Sequence, residues 1–215
     1  MIDVTIDLEV LSDLPVSVGA GGSAGTLADK VIVRDGRGRP LIPGSQVKGR
    51  ARHAAEAIAA TLGLGVPQYF GDETDTVIRR IFGSPQHRAP LHFANVIADV
   101  GDQTKIEPQW LSQLRPSVAI NRRRGTADDE RLLLQETALR GMRFIARPAI
   151  VGTLPDLGHA ALLWAALRAV DRWGGAKSRG LGWATTNVRV IVNGQEQNAA
   201  VLTEALRDLV RRGGA

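Results

Sequence analysis

Hydrophobic periodicity switches along this chain between the two-residue alternation of strands and the roughly 3.6-residue spacing of helices, and the order of those switches limits the fold more than any other feature. Polar and apolar residues alternate from Met1 to Leu8, which predicts a first strand over about Asp3 to Leu11. After Pro43-Gly44, with Ser45 as the expected cap, Val47, Ala51, Ala54, Ala55, Ile58 and Leu62 fall on one helical face. A short helix is expected from Asp75 to Phe82, stopped by Gly83, and Leu91 to Ala98 alternates like a strand. Strand alternation resumes from Gly141 to Arg147. The spacing of Leu162, Leu163, Ala166, Leu167 and Val170 then predicts a second long helix, Leu157 to Trp173, ended by Gly174 and Gly175. A closing strand over Trp183 to Val192 and an amphipathic helix at about 198–212 complete the chain. Strand, helix, strands, helix, strand is the order of an α+β, ferredoxin-like (RRM-like) βαββαβ antiparallel sheet, expected here as one domain over 1–215.

Insertions decorate that core. Lys30 to Arg34 and Pro40 to Ile42 bracket Asp35-Gly36-Arg37-Gly38-Arg39, a turn in which Asp35 is expected to shape the backbone or pair with Arg34 or Arg37. Gly19 to Gly25 is glycine-rich and reads as a loop. At about 117–137, Val118 and Ile120 precede a charged stretch, Asn121 to Glu130, and Leu132 to Leu134 follow it, which predicts a projecting β-hairpin. Its tip sets Arg122, Arg123 and Arg124 against Asp128, Asp129 and Glu130, a pattern that suits a solvated loop as well as a nucleic-acid contact.

Two short stretches carry the chemistry: Ile42-Pro43-Gly44-Ser45-Gln46-Val47-Lys48-Gly49-Arg50 and Gly174-Gly175-Ala176-Lys177-Ser178-Arg179-Gly180-Leu181-Gly182. Each combines glycines that let backbone N–H groups face outward with Lys or Arg that neutralises phosphate. Lys48 and Arg52 share a face near a helix N-terminus, where anions are attracted. The formal charge of +5, from 27 Lys plus Arg against 22 Asp plus Glu, agrees with a polyanion partner. The chain has no cysteine, so disulfides, thiol catalysis and cysteine-ligated zinc are excluded. No signal-peptide pattern or membrane-length apolar run is seen, which leads to the expectation of a cytoplasmic protein without a membrane partner. His87, His92 and His159 lack metal-cluster spacing. Trp164 and Trp173 fit the core, whereas Trp183 adjoins the glycine loop and suits either core or base stacking.

The first stretch, continued to Ala51-Arg52, resembles the IPGSSLKGxxR signature of the RAMP superfamily, the RNA-binding subunits of CRISPR effector complexes, and the second resembles that superfamily's C-terminal glycine-rich loop. Asp29-Lys30-Val31-Ile32-Val33-Arg34-Asp35 resembles the D-x-P-V-x-R-D segment of the repeated backbone subunit of type III effectors, with Val31 where the family has proline. The stretch from Asn121 to Glu136 resembles the family's thumb hairpin.

The resemblance implies a guide-RNA-binding subunit in antiviral defence whose partners are guide CRISPR RNA, complementary target RNA, and other effector subunits or further copies of itself. It implies RNA contacts at Gly44, Ser45, Lys48, Arg50, Arg52, Arg122, Arg123, Arg124, Lys177, Ser178 and Arg179. It also implies that Asp29 cuts paired target RNA, as an endoribonuclease residue holding Mg²⁺ or another divalent cation. Two alternatives stay open within the family: a scaffold that does not cut, and a CRISPR RNA-maturing endoribonuclease using His53 as acid or base. A ferredoxin-like protein that binds no nucleic acid would leave both basic glycine stretches as coincidence.

Overall fold

The computed structural model describes residues 1–19, 28–69, 71–101 and 107–213; the glycine-rich stretch expected as a loop lies outside them from residue 20 to 25. At its centre is β1 (Ile2–Ser12), in which Val4, Ile6, Leu8 and Val10 turn one way and are buried. Strand alternation puts these four on one sheet face and leaves Asp7 and Glu9 on the other. β1 pairs antiparallel with β7 (Arg143–Leu154) on one side and β8 (Ala184–Val192) on the other, so that Ile6 lies between Ile150 and Val190.

The sheet extends from β7 to β4 (Val96–Ala98) and β2 (Leu41–Ile42), and from β8 to β9 (Gln195–Gln197); β3 (Leu91–Phe93) also pairs with β7. All these pairings are antiparallel. The buried face is covered by α1 (Gly44–Thr61), through Val47, Ala51, Ala55 and Ala59, and by α3 (Leu157–Arg168), through Ala160 to Leu163, Ala166 and Leu167. Small residues on α1 let it lie close to its neighbours. α4 (Ala199–Gly213) packs outside α3; Leu202 and Leu209 are its buried residues, and a Cβ at Gly158 would lie 2.9 Å from that of Leu209. The fold is therefore α+β with antiparallel sheets.

Several boundaries differ from expectation. The strand anticipated from Leu91 to Ala98 is broken into β3 and β4, because Pro148 on the facing strand has no N–H to donate and Asn95 turns its Oδ1 to the Gly44 N–H at 2.9 Å. Ser45 does not cap α1: the capping position is Pro43, with no side-chain cap, and Ser45 is already helical. The second long helix stops at Arg168 rather than Trp173, since Arg172 leaves helical geometry to bridge Trp183 and the Ala184 N–H donates to the Asp171 carbonyl. α2 (Val77–Phe82) starts two residues late, capped by Thr76 Oγ1. The turn at Asp35 forms, but its side-chain partner is Arg39, at 2.7 Å, not Arg34 or Arg37. Burial opposes ionisation of Asp35, yet the N–H groups of Arg39 and Arg37 and the Arg39 guanidinium together hold its carboxyl below the usual range.

The insertion is a two-stranded hairpin, β5 (Ser112–Asn121) and β6 (Thr126–Ala138), forming its own sheet and starting earlier than expected. Its base is tied to the body where Val16 bridges Ala138 and Lys30 bridges Gln135.

Candidate nucleic-acid interface

The two basic glycine stretches meet. Gln46, in the first turn of α1, accepts a hydrogen bond on Oε1 from the Gly174 N–H at 3.2 Å, across 128 residues of sequence. The glycines around this contact are there for steric reasons. A Cβ on Gly44 would lie 2.1 Å from the Phe93 carbonyl oxygen, and one on Gly174, whose φ is +83°, would lie 2.5 Å from that of Ser17. Gly182, at φ +84°, passes so close to Trp173 that a Cβ would lie 2.0 Å from its carbonyl oxygen. Backbone bonds fix the loop at both ends: Gly175 N–H to the Ser17 carbonyl (2.7 Å), Gly182 N–H to that of Pro15 (2.9 Å), and Trp173 N–H to that of Gly182 (2.8 Å). Between them Ala176 adopts left-handed backbone and Lys177–Arg179 forms a single 3-10 turn that presents Ser178 and Arg179 to solvent.

The loop forms one wall of an open cleft of about 650 Å³. Gln46, Ser178 and Arg179 line it together with Asp29, Lys30 and Gln135. Lys177 lies alongside, its ammonium held below the usual lysine range by partial burial and by the positive charges of Arg50 and Arg172. Lys48 is lowered in the same direction by burial and by Arg52.

Asp29 stands on the cleft wall, exposed, and is fixed from the hairpin side. Its N–H donates to the Leu134 carbonyl at 2.9 Å, and its Oδ2 accepts from the Leu134 N–H at 2.7 Å. Two residues further along β6, Glu136 clamps the same segment. Its Oε1 accepts from Ser112 Oγ and from Arg34, both at 2.6 Å, and its Oε2 from the Ile32 N–H at 3.0 Å. Burial opposes the Glu136 charge, but the hydrogen bonds from Ser112, Ile32 and Arg34 outweigh it and hold the carboxyl below the usual range.

The remaining predicted contacts separate into two outlying groups. Lys48 borders a second groove of about 450 Å³, with Arg88 and His92, and Arg52 is paired with Glu56 at 2.8 Å. Ser45 and His53 are exposed on α1, and neither lines the cleft. Arg122, Arg123 and Arg124 are exposed at the tip of the hairpin; Asn121 Oδ1 accepts from the N–H groups of Arg123 and Arg124, and Asp128 lies 3.5 Å from Arg124.

Sequence reasoning did not single out Gln46, Gln135 or Glu136. Gln46 was legible only as part of a motif, and Glu136 makes its bonds to residues 24 to 104 positions away, which no local pattern announces. Among the described residues no cluster of three or more His, Asp or Glu is arranged to hold a metal ion, and no helix is long and apolar enough to cross a membrane.

An antiparallel α+β body in which Gln46 of one glycine motif and Gly174, Ser178 and Arg179 of the other border one polar cleft defines a class, and the sequence agrees. The RAMP superfamily model matches residues 7–185, and the chain belongs to that superfamily. Within it, an 88-residue segment, 40% of this chain, is 34% identical to the protein described as CRISPR system Cms endoribonuclease Csm3 of Mycobacterium tuberculosis. The match spans 36% of that relative's length.

Proposed function

We propose that this chain is a guide-RNA-binding backbone subunit of a type III CRISPR effector ribonucleoprotein. The observation that carries the reading is the Gln46–Gly174 bond, which joins both glycine motifs on one cleft with Asp29 on its wall. The likeness to Csm3 supports the type III branch. The order β4-β7-β1-β8, antiparallel with helices on one face, supports a ferredoxin-like core, and the two-stranded insertion suits a thumb that separates nucleotides.

In this reading Ser178, Arg179 and Lys177, carried on a loop whose glycine N–H groups are bonded within the protein, take phosphates of the guide without reading its bases. Base pairing then selects the target, and the subunit contributes backbone grip. Asp29 would hold the divalent cation. One carboxylate with RNA phosphates and water is a donor set that suits Mg²⁺, which often binds through one or two carboxylates plus substrate oxygens. When bound, that cation would offset the negative charge developing on the phosphate oxygens. The β6 backbone fixes the Asp29 carboxylate, so its position relative to the paired RNA is set by the hairpin base.

The test is cutting of a guide-complementary RNA by the reconstituted complex, in Mg²⁺ or EDTA, for wild type and Asp29→Ala. Loss of metal-dependent cutting at the site served by this subunit, with assembly and RNA binding kept, is the expected result. A second reading, a subunit that holds the guide and does not cut, draws on one specific observation: half of the Asp29 carboxylate is already engaged by the Leu134 N–H. That reading predicts the same cutting pattern in both proteins. Guide maturation by His53 draws no support from the cleft, which His53 does not line.

A further inference from the structure

Trp183 follows the glycine loop immediately and sits where two segments pair back on each other. Arg172 and Trp183 form an isolated antiparallel bridge, flanked by the bond from the Trp173 N–H to the Gly182 carbonyl and by that from the Ala184 N–H to the Asp171 carbonyl. This pairing sets the Arg172 guanidinium 4.1 Å from the centre of the Trp183 ring. The Trp183 carbonyl is fixed in turn by the N–H groups of Asp13 and Leu14, at 2.9 and 3.1 Å.

Backbone fixation with an open side chain is not how this protein treats its core tryptophan. Trp173 is fully buried and donates its indole N–H to Thr186 Oγ1 at 3.1 Å, whereas Trp183 remains 39% exposed. A ring left partly in water contributes less to folding than a buried one, so packing does not account for Trp183. Its surroundings are cationic. Arg172 and Arg50 both act on Lys177, and Asp171, 3.6 Å from Arg172, is the carboxylate that offsets them. The Nε of Arg50 is buried with no hydrogen-bond partner among the described residues. Lys177 thus has two like charges and one carboxylate within reach, a surplus of positive charge that a phosphate would relieve.

We propose that this corner is a single-nucleotide subsite, in which one base of single-stranded RNA stacks on the Trp183–Arg172 layer while its phosphate sits among Arg50, Arg172 and Lys177. The inference rests on the RNA-binding reading above and adds a base contact to a phosphate grip. Every base offers a π-face, so an indole backed by a guanidinium accepts any of them, as a guide of variable sequence requires.

The 215-residue chain is titrated with a short mixed-sequence single-stranded RNA and, separately, with inorganic polyphosphate, which carries the charge and no base. Trp183→Ala is expected to weaken RNA binding by about 5- to 100-fold while polyphosphate affinity and the salt dependence stay as in wild type. Trp183→Phe keeps most of the RNA affinity, and Lys177→Ala weakens both ligands. Thermal unfolding checks that each variant is folded, and Trp183→Leu, apolar but without a ring, takes the place of the alanine variant if that one is not. RNA affinity that falls with Lys177→Ala but not with loss of the Trp183 ring overturns this inference alone, as does an equal loss for RNA and polyphosphate. A wild type that binds no RNA overturns both the inference and the reading beneath it.

Discussion

The glycine loop at 174–182 and the hairpin at 112–138 are both candidate RNA contacts, and they are built in opposite ways. In the loop, Gly174 and Gly182 approach neighbouring carbonyls so closely that any side chain would collide, and backbone bonds reach out to Pro15, Ser17 and Gln46. At the hairpin tip, Gly125 also has positive φ, but nothing lies within 4 Å of where its Cβ would be. Its strands carry Val118 facing Leu132, both more than half exposed, and among the described residues only the base is clamped to the body. The loop is a surface fixed before any ligand arrives; the hairpin is anchored at one end and otherwise answers to solvent. Preformed geometry suits gripping a phosphate backbone of constant shape, and a free-standing arm suits inserting between nucleotides that a partner strand brings.

That contrast can be broken by substitution. Gly182→Ala should destabilise the protein most, by about 3 kcal/mol, since it combines an unfavourable φ with a collision against the Trp173 carbonyl. Gly125→Ala at the tip, with positive φ and no collision, should cost about 1 kcal/mol. Urea unfolding of the two variants measures the difference, and similar losses would mean that the loop is no more rigid than the tip.

The hairpin's single anchorage gives the next largest effect. Glu136→Ala removes the acceptor shared by Ser112, Arg34 and the Ile32 N–H and should cost about 2 kcal/mol. The same carboxylate makes stability pH-dependent. Its folded pKa lies below the ordinary value of 4.5, so its contribution is complete above that pH and is lost as pH falls through the folded value. Wild type should therefore lose stability more steeply than Glu136→Ala in acid, as read from unfolding midpoints between pH 6 and about 3. Parallel pH curves would show that Glu136 does not act as the clamp.

The smallest effect is expected at the tip. Replacing Arg122 and Arg123 by alanine should leave stability within about 0.5 kcal/mol, because both are exposed and away from packed structure. If the tip meets RNA, the loss should appear only in binding to a guide and target duplex, and a stability loss would show that the tip packs against something.

The difference between the two regions also explains what the sequence could reveal. β1 and α1 announce themselves because side-chain period alone sets which residues are buried, and Val4 to Val10 or Val47 to Ala59 need no distant partner to be read. The two glycine motifs were legible as motifs. Their meeting was not, because it depends on a single Gln46 side chain reaching across the fold. The early end of α3 escaped for the same reason: Val170 and Trp173 continue the apolar pattern and are buried, but pairing of Arg172 with Trp183 overrides helix propensity. Asp29 was legible from its segment, whereas its tether to Leu134 belongs to the tertiary structure.

The most direct test of the account is the affinity of the 215-residue chain for single-stranded RNA as a function of salt, for wild type and for Lys177→Ala/Arg179→Ala. The cleft reading predicts weaker binding to every RNA sequence and a salt slope reduced by about 1.4, the share of two phosphate contacts on a single strand. Unchanged affinity and slope would contradict it, because the wall of the cleft would then carry no phosphate.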